Sequence, residues 1–146
     1  MMKSTAKPIV ILDTNEFVFG LVGNQKHPTL LIQNLGKLRQ NFDFRVSRQI
    51  IKEILGNIPK NYQGKLFDLI NSGMIKYDDK LVGEKLLVKY KTHGLKKGDA
   101  VIAAFADKEN ADILISENRH FLKELKTKRF NVMNAEQFLN EIIKFK

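Results

Sequence analysis

The sequence has 146 residues, of which 43% are hydrophobic, and its formal net charge is +9. This length and composition fit one folded domain with its own core, so we expect a single domain over residues 1–146 and exclude a disordered chain. No cysteine occurs, which excludes disulfides, thiolate zinc sites and a cysteine nucleophile.

Apolar runs in the sequence predict neither a secretory signal peptide nor a membrane-spanning helix. No apolar run approaches the ~18 residues that a membrane-spanning helix needs. The basic stretch Met1–Pro8 is followed only by the short apolar run Ile9–Leu12 before Asp13. That run is too short for the core of a secretory signal peptide. We therefore expect a cytoplasmic protein without a membrane partner.

The ionisable residues favour a polyanion and an oxygen-ligated metal. Lysine and arginine number 25 against 16 for aspartate and glutamate, which favours a nucleic-acid partner. A generally lysine-rich proteome is the alternative explanation, because the charge is scattered along the chain. His27, His93 and His120 form no H-x-x-x-H pattern. A hydrolytic metal site would therefore use oxygen ligands, which suit Mg²⁺ or Mn²⁺.

Apolar periodicity and turn residues predict strands that alternate with helices along the whole chain. In chain order we expect a strand at 8–12, a helix at 28–40, a strand at 42–46, a helix capped by Ser47 that ends before Pro59, a helix at 62–71, a weak strand at 74–77, a helix at 81–90, a turn at 93–94, a helix at 99–108, a strand at 112–115, a helix at 118–126, a strand at 130–133 and a closing helix capped by Asn134. This alternation predicts an α/β/α layered fold with a mostly parallel sheet. In such sheets functional groups collect at the carboxyl ends of strands, near the point where strand order reverses.

Two aspartates stand where this functional edge is expected. Asp13 directly follows the first strand, and the alternative is that it only caps a helix that starts near Asn15. Asp99 opens the alanine-rich helix and shares a face with its apolar residues, so its carboxylate should point inward. The alternative for Asp99 is an N-cap that follows a turn at Gly98.

Further oxygen-bearing side chains follow two other strands. Glu53 lies one turn into the helix after the second strand, off the centre of its isoleucine stripe, so a solvated glutamate is the alternative. Ser116, Glu117 and Asn118 follow the strand at 112–115, and the alternative is that they cap the next helix.

Gathered carboxylates of this kind indicate a metal site for phosphodiester cleavage. Carboxylates that lie close together resist ionising together, and divalent cations relieve that repulsion. Two such ions about 4 Å apart can activate a water molecule and stabilise the leaving oxygen of a phosphodiester.

In this order and spacing the motifs resemble the PIN domain family, from Pro8 to about Ile143. The first strand ends in Asp13-Thr14-Asn15, Glu53 lies in the helix after the second strand, and Asp99 begins an alanine-rich helix. The fourth element reads Leu114-Ile115-Ser116-Glu117-Asn118-Arg119-His120-Phe121, in which a strand is followed by serine, the fourth site position and phenylalanine.

The resemblance implies a three-layer α/β/α sandwich with a four- to five-stranded sheet, and a ribonuclease that cleaves single-stranded RNA with Mg²⁺ or Mn²⁺ to leave 5′-phosphate and 3′-hydroxyl ends. Many small members are toxins of type II toxin–antitoxin pairs and form dimers, so RNA, an antitoxin and a second copy are the partners it implies. Asn118 stands where many relatives carry aspartate. Its amide offers an oxygen without a charge, which implies a weaker second metal position.

On this interpretation the catalytic and metal-binding residues are Asp13, Glu53, Asp99 and Asn118. Asp13 and Asp99 hold the main ion, and Glu53 binds or orients the attacking water. The side chains expected to support them are Asn15, Ser116 and Glu117. The basic residues expected to hold the RNA backbone are Arg48, Lys52, Lys96, Lys97 and Arg119. Solvated surface charge is the alternative for each of these five, and His120 is expected to be a packing or surface residue.

Two other interpretations stay open at this point. A PIN-like domain that binds RNA or protein without cutting is favoured by Asn118. A phosphatase or phospho-acceptor domain would need a second aspartate near Asp13 and a well-placed lysine after a later strand. The first motif lacks that aspartate, and Ser116-Glu117-Asn118 stands where the lysine would be expected.

Overall fold

The computed structural model describes residues 6–125 and 127–144. Met1–Thr5 of the basic N-terminal stretch and Lys126, the last residue of the helix predicted at 118–126, lie outside the described residues. Within the described part of the chain, one sheet is formed by β1 (Ile9–Leu12), β2 (Asp43–Ser47), β3 (Lys76–Asp78), β4 (Ile113–Ile115) and β5 (Asn131–Met133). The strand order is β3-β2-β1-β4-β5, and every pairing is parallel.

Helices connect and cover these strands. They are α1 (Thr14–Val22), α2 (Lys26–Gln33), α3 (Leu35–Leu38), α4 (Arg48–Leu55), α5 (Gln63–Asn71), α6 (Glu84–Lys91), α7 (Lys97–Lys108) and α8 (Ala135–Lys144). A 3₁₀ turn at Lys60–Tyr62 precedes α5, and a π-helical turn at His120–Glu124 follows β4. None of the helices in the described ranges has both the length and the apolar content that crossing a bilayer requires.

The helices form two groups on the two faces of the sheet. Helix α1 packs against α2 and α4, α2 packs against α8, and α6 packs against α7. Parallel strands are joined by right-handed crossovers, so the reversal of strand order places α6 and α7 on the face opposite α1 and α2. The predicted α/β/α sandwich with a parallel sheet is therefore confirmed.

Four predicted helices differ in their bounds by two residues or more, and the one predicted at 81–90 begins only at Glu84. The helix predicted at 28–40 is divided into α2 and α3 at Asn34, whose side-chain amide donates to the Leu30 carbonyl at 2.7 Å and so competes with continued helix. The alanine-rich helix starts two residues earlier than predicted, at Lys97, with Lys96 in the cap position. The N-cap interpretation of Asp99 is therefore wrong. The helix predicted to start at Asn118 begins instead at His120.

The position of β1 determines where functional groups gather. Its residues Val10, Ile11 and Leu12 are fully buried, as expected for a central parallel strand that is covered on both faces. The chain proceeds from β1 to β2 and β3 on one side, and then crosses to β4 and β5 on the other. Strand order thus reverses between β1 and β4, and the residues just after these two strands are Asp13 and Ser116.

Candidate metal centre

A pocket of about 350 Å³ opens at the carboxyl ends of β1 and β4, where the strand order reverses. Its lining side chains with oxygen atoms are Asp13, Thr14, Asn15, Glu53, Asn57, Asp99 and Asn118, and Val18 and Phe19 of α1 add an apolar wall. The structure thus brings together side chains that the sequence separates by more than 100 positions. All four residues expected to bind metal line this one pocket.

Asp13 lies at the base of the pocket and is almost fully buried, with 4% exposure. Its Oδ1 accepts from the Thr14 backbone N–H at 2.7 Å, and its Oδ2 accepts from Ser116 Oγ at 2.6 Å. Asp13 therefore lies at the functional edge of the sheet and also caps helix α1, so both interpretations of this residue are correct. Its pKa is raised to about 6, mainly by burial and to a lesser degree by the nearby Asp99 and Glu53 carboxyls, while these two hydrogen bonds lower it.

Glu53 on α4 is anchored from two sides. Thr14 Oγ1 donates to its Oε1 at 2.7 Å, and Gln49 Nε2 donates to its Oε2 at 2.8 Å. Gly98 makes room for this carboxylate, because a Cβ at that position would lie 3.2 Å from Glu53 Oε2. Glu53 is therefore a hydrogen-bonded, half-buried group, and the interpretation as a solvated glutamate is wrong.

Asp99 faces the pocket from the first turn of α7 and is half-buried. Burial is the main cause that raises its pKa, and the Glu53 carboxyl raises it further. The Asn118 side chain, His120 and Lys96 lower that pKa. His120 is exposed, as the sequence indicated, yet it lies close enough to act on the Asp99 charge.

The turn at 116–118 holds Asn118 in a defined orientation. The Asn118 N–H donates to Ser116 Oγ at 3.0 Å, and Asn118 Oδ1 accepts from the His120 N–H at 2.9 Å. Its side-chain amide donates to Asp99 Oδ2 over a long 3.4 Å. In this arrangement Asn118 presents a donor to Asp99, whereas the sequence led us to expect an oxygen ligand.

Glu117 and Asn15 tie the same turn to its surroundings. The Glu117 N–H donates to Asn15 Oδ1 at 3.1 Å, and Glu117 Oε2 accepts from the Ala135 N–H at the start of α8 at 2.9 Å. The Glu117 side chain is thus engaged with α8, and it is not among the side chains that line the pocket.

Sequence reasoning missed one acidic residue beside the site, Glu16. It is fully buried, and no donor of the described residues reaches either carboxyl oxygen. Burial, followed by its contact with Glu117, raises its pKa to about 10. The available signal was its place beside Phe17 and four residues before Gly20, on the buried face of α1.

The donor set has the chemistry of a hard divalent cation site. Three carboxyl groups from Asp13, Glu53 and Asp99 line the pocket, and oxygen ligands are those that Mg²⁺ and Mn²⁺ prefer. Within residues 6–125 and 127–144, however, no three acidic or histidine side chains stand close enough to form a finished ligand set. The donor types therefore fit such a cation, while hydroxyl, amide and backbone donors bind Asp13 and Glu53 in this structure.

The basic residues expected near the site are all exposed. Arg48 and Lys52 stand one turn apart on α4, the helix that carries Glu53, while Lys96, Lys97 and Arg119 lie close in sequence to Asp99 and Asn118. A larger groove of about 1000 Å³ lies along β2 and β3, away from these acids. Its acidic residue, Asp43, is bound by Arg45 at 2.8 Å, so this groove offers no comparable set of carboxylates.

Comparison with known proteins supports the fold. No protein-family model matches the chain, and no curated protein matches it. Among solved structures, the chain is similar to a chain of the crystal structure of VapBC2 from Rickettsia felis bound to a DNA fragment from their promoter. The identity is 22%, the TM-score is 0.61, and the match covers 86% of this chain and 98% of the other. The predicted PIN-like fold is thereby confirmed.

Proposed function

We propose that this chain is a metal-dependent endoribonuclease and the toxin of a toxin–antitoxin pair. One observation carries the proposal: Asp13, Glu53, Asp99 and Asn118, from four separate segments, line one pocket where strand order reverses in a PIN-like sheet. The Rickettsia felis structure supports the toxin assignment, because it is described as VapBC2 on promoter DNA.

In this proposal Asp13 and Asp99 hold Mg²⁺ or Mn²⁺, and Asn118 completes the site. The bound ion supplies positive charge that favours the ionised carboxyls and stabilises charge on the phosphate. Ser116 keeps Asp13 in place through its 2.6 Å hydrogen bond. Glu53, fixed by Thr14 and Gln49, orients the water that attacks phosphorus.

The reaction is a hydrolysis of the RNA backbone. The water oxygen forms a new bond to phosphorus, the bond from phosphorus to the 3′-oxygen breaks, and the departing oxygen takes up a proton. The products carry a 5′-phosphate and a 3′-hydroxyl. The exposed residues Arg48, Lys52, Lys96, Lys97 and Arg119 hold the phosphates on either side, since such contacts position a strand without reading its sequence.

The direct test is digestion of RNA by the purified protein with Mn²⁺. We expect Asp13→Asn and Asp99→Asn each to reduce cutting by about 100-fold or more, because each removes a charged oxygen ligand of the proposed cation. Asp79→Asn, in an exposed loop, is the matched control and should cut like the wild type. Undiminished cutting by both site variants, or cutting that survives chelation, would refute the mechanism.

A second candidate is a PIN-like module that binds RNA or protein without cutting. It is favoured by Asn118 in place of an acid and by the lack of a finished ligand set among the described residues. Titration with Mn²⁺, followed by the melting temperature, separates the two candidates. A rise in melting temperature with Mn²⁺ favours the nuclease, and the rise should be larger in Asn118→Asp. No rise in either the wild type or Asn118→Asp favours the binding module.

The proposed partners beyond RNA are an antitoxin and a second copy of the chain, and the proposed compartment is the cytoplasm. Expression of the wild type should arrest growth of a bacterial host, and co-expression of the product of an adjacent reading frame should restore growth. Light scattering on the purified chain measures whether it forms a dimer. Normal growth on expression of an active enzyme would remove the toxin assignment and leave the nuclease.

A further inference from the structure

The apolar wall of the pocket is a feature that the metal chemistry does not use. Val18 and Phe19 of α1 line the pocket beside Thr14 and Asn15, and both apolar side chains are half-buried. These four residues lie on one side of the helix, because they are spaced three or four positions apart. The other side of α1 is the buried one, with Glu16, Phe17, Gly20 and Leu21. Helix α1 therefore places an acid inside the protein and an aromatic ring at a pocket lined with carboxylates.

The Phe19 ring lies outside the hydrophobic core. Val18 packs against the core cluster, but Phe19 is not among the half-buried apolar residues that do so within residues 6–125 and 127–144. In that same part of the chain, its ring pairs with no other aromatic ring and lies under no lysine or arginine. Apolar surface that stays in contact with water is unfavourable, so a ring held at the pocket without core contacts gains from a ligand that covers it.

The remaining lining of the pocket indicates which kind of ligand would cover the ring. The carboxylate and amide groups of Asp13, Glu53, Asp99 and Asn118 border the same space of about 350 Å³. In the proposed function they hold a cation that binds a phosphate of RNA. Each such phosphate is joined through a ribose to a base with a flat π face, and bases of single strands stack on aromatic side chains. A nucleotide whose phosphate lies at the acids therefore has a base to place against Phe19.

We propose that Phe19 is a stacking platform for the nucleobase next to the scissile phosphate. The inference rests on the proposed function for the role of that phosphate, and it adds that the neighbouring base is bound through its face. Stacking accepts every base, because each base has a π face, but a base inside a duplex is already stacked on its neighbours. Phe19 thus favours an unpaired base without selecting a sequence, and it contributes to binding of the RNA.

Nucleoside monophosphates test the stacking contact without any cutting of RNA. The probes are adenosine 5′-monophosphate and adenosine 3′-monophosphate, one for each side of the scissile bond, and ribose 5-phosphate, which lacks a base. Titration in the presence of Mg²⁺, followed by NMR chemical shifts, gives the dissociation constants. We expect the tighter of the two adenosine phosphates to bind the wild type about tenfold more tightly than ribose 5-phosphate, as one base–aromatic contact would produce.

Substitutions of Phe19 show whether the ring is the source of that advantage. Phe19→Leu keeps an apolar side chain but removes the π face, so the advantage of the base should fall below about twofold, while ribose 5-phosphate binds as before. Phe19→Tyr keeps a ring and should retain the advantage. The matched control is Phe67→Leu, which removes a partly exposed ring on α5 that does not line the pocket, and it should bind all three probes like the wild type.

A measurement on the wild type decides the question if Phe19→Leu does not fold. The ring protons of Phe19 should shift upfield when the tighter adenosine phosphate binds, because a stacked base adds its ring current. Ribose 5-phosphate should leave these protons in place, and the Phe67 ring protons should move with neither probe. Absence of the shift with a saturating adenosine phosphate overturns the stacking contact.

The outcomes separate this inference from the proposed function. Equal binding of the three probes by the wild type, or an advantage of the base that Phe19→Leu retains, overturns the platform and leaves the wall to a side chain of a protein partner. A protein that does not cut RNA with Mn²⁺ but binds the base through Phe19 loses the nuclease assignment and keeps the platform. In an active enzyme, Phe19→Leu should lower kcat/KM on single-stranded RNA about tenfold, mainly through KM, and an unchanged kcat/KM overturns the platform while the nuclease stands.

Discussion

Replacement of Asp13 by asparagine should make the metal-free protein more stable while it removes activity. Asp13 is 4% exposed, and its pKa rises from 3.8 to about 6 on folding, mainly because of burial. The folded protein therefore binds a proton at Asp13 more tightly than the unfolded chain does. The wild type loses stability as the pH rises from about 4 to about 6, and the loss is complete above about pH 7.

The size of the effect follows from the shift in pKa. A rise of about two units corresponds to about 3 kcal/mol at 1.36 kcal/mol per unit. The substituted asparagine side chain would carry no charge, and it could still accept from the Thr14 N–H and pair with the Ser116 hydroxyl. We therefore expect Asp13→Asn to raise the free energy of unfolding by about 3 kcal/mol at pH 8 and by only about 1 kcal/mol at pH 4.5.

Urea unfolding of the wild type and of Asp13→Asn at the two pH values, in buffer with a chelator, measures this difference. Asp79→Asn, in an exposed loop, is the control and should show no pH-dependent gain. The reasoning is refuted if Asp13→Asn is no more stable than the wild type at pH 8, or if the gain is the same at both pH values.

Three further substitutions test one contact beside the site and two elsewhere in the fold. Gly98→Ala places a methyl group 3.2 Å from Glu53 Oε2, so the Mn²⁺ concentration for half-maximal thermal stabilisation should rise about tenfold, which is about 1.4 kcal/mol. The control, Gly64→Ala, lies in open space on α5 and should leave that concentration unchanged. Equal values for the two variants would contradict the crowding argument. Gly20→Ala would bring its Cβ within 2.7 Å of a backbone carbonyl of α2. It should lower the free energy of unfolding, measured with urea, by about 1–3 kcal/mol. An unchanged free energy of unfolding would show that α1 and α2 can separate without penalty. Asp107→Asn weakens the hydrogen bonds from three donor side chains to a buried carboxylate, and these donors lower its pKa. The ionised Asp107 carboxylate therefore stabilises the folded protein above about pH 4, and this stabilisation is lost as the pH falls through the folded pKa. The variant should be less stable than the wild type by about 1–3 kcal/mol at pH 7 and nearer to it at pH 3. A loss that does not depend on pH would refute the assignment.

The sequence predicted those parts of the fold whose cause is local. The apolar run Ile9–Leu12 reads as a buried strand because a central parallel strand has to be apolar on both faces. Ser47 accepts from the Ile50 N–H at 3.1 Å, as expected of a residue that caps the helix after a strand. The break at Asn34 was missed because the apolar periodicity continues across it, while a single side-chain bond to Leu30 decides the geometry.

The pocket residues could be predicted from the sequence only in part. Asp13 and Asp99 could be singled out because strand ends and helix starts are visible in sequence. The surroundings of Glu53 could not, since its partner Thr14 lies 39 positions away. Glu16 was not singled out in the sequence, because only the folded chain shows that it is fully buried.

The hydrogen bond from Ser116 to Asp13 spans 103 positions of the chain, and this has a consequence during synthesis. Asp13 leaves the ribosome 103 residues before its hydroxyl partner does. Because β1 pairs with β4 along the same edge, an unfinished or stalled polypeptide lacks one wall of the pocket. The complete pocket therefore forms only after residue 118 has left the ribosome.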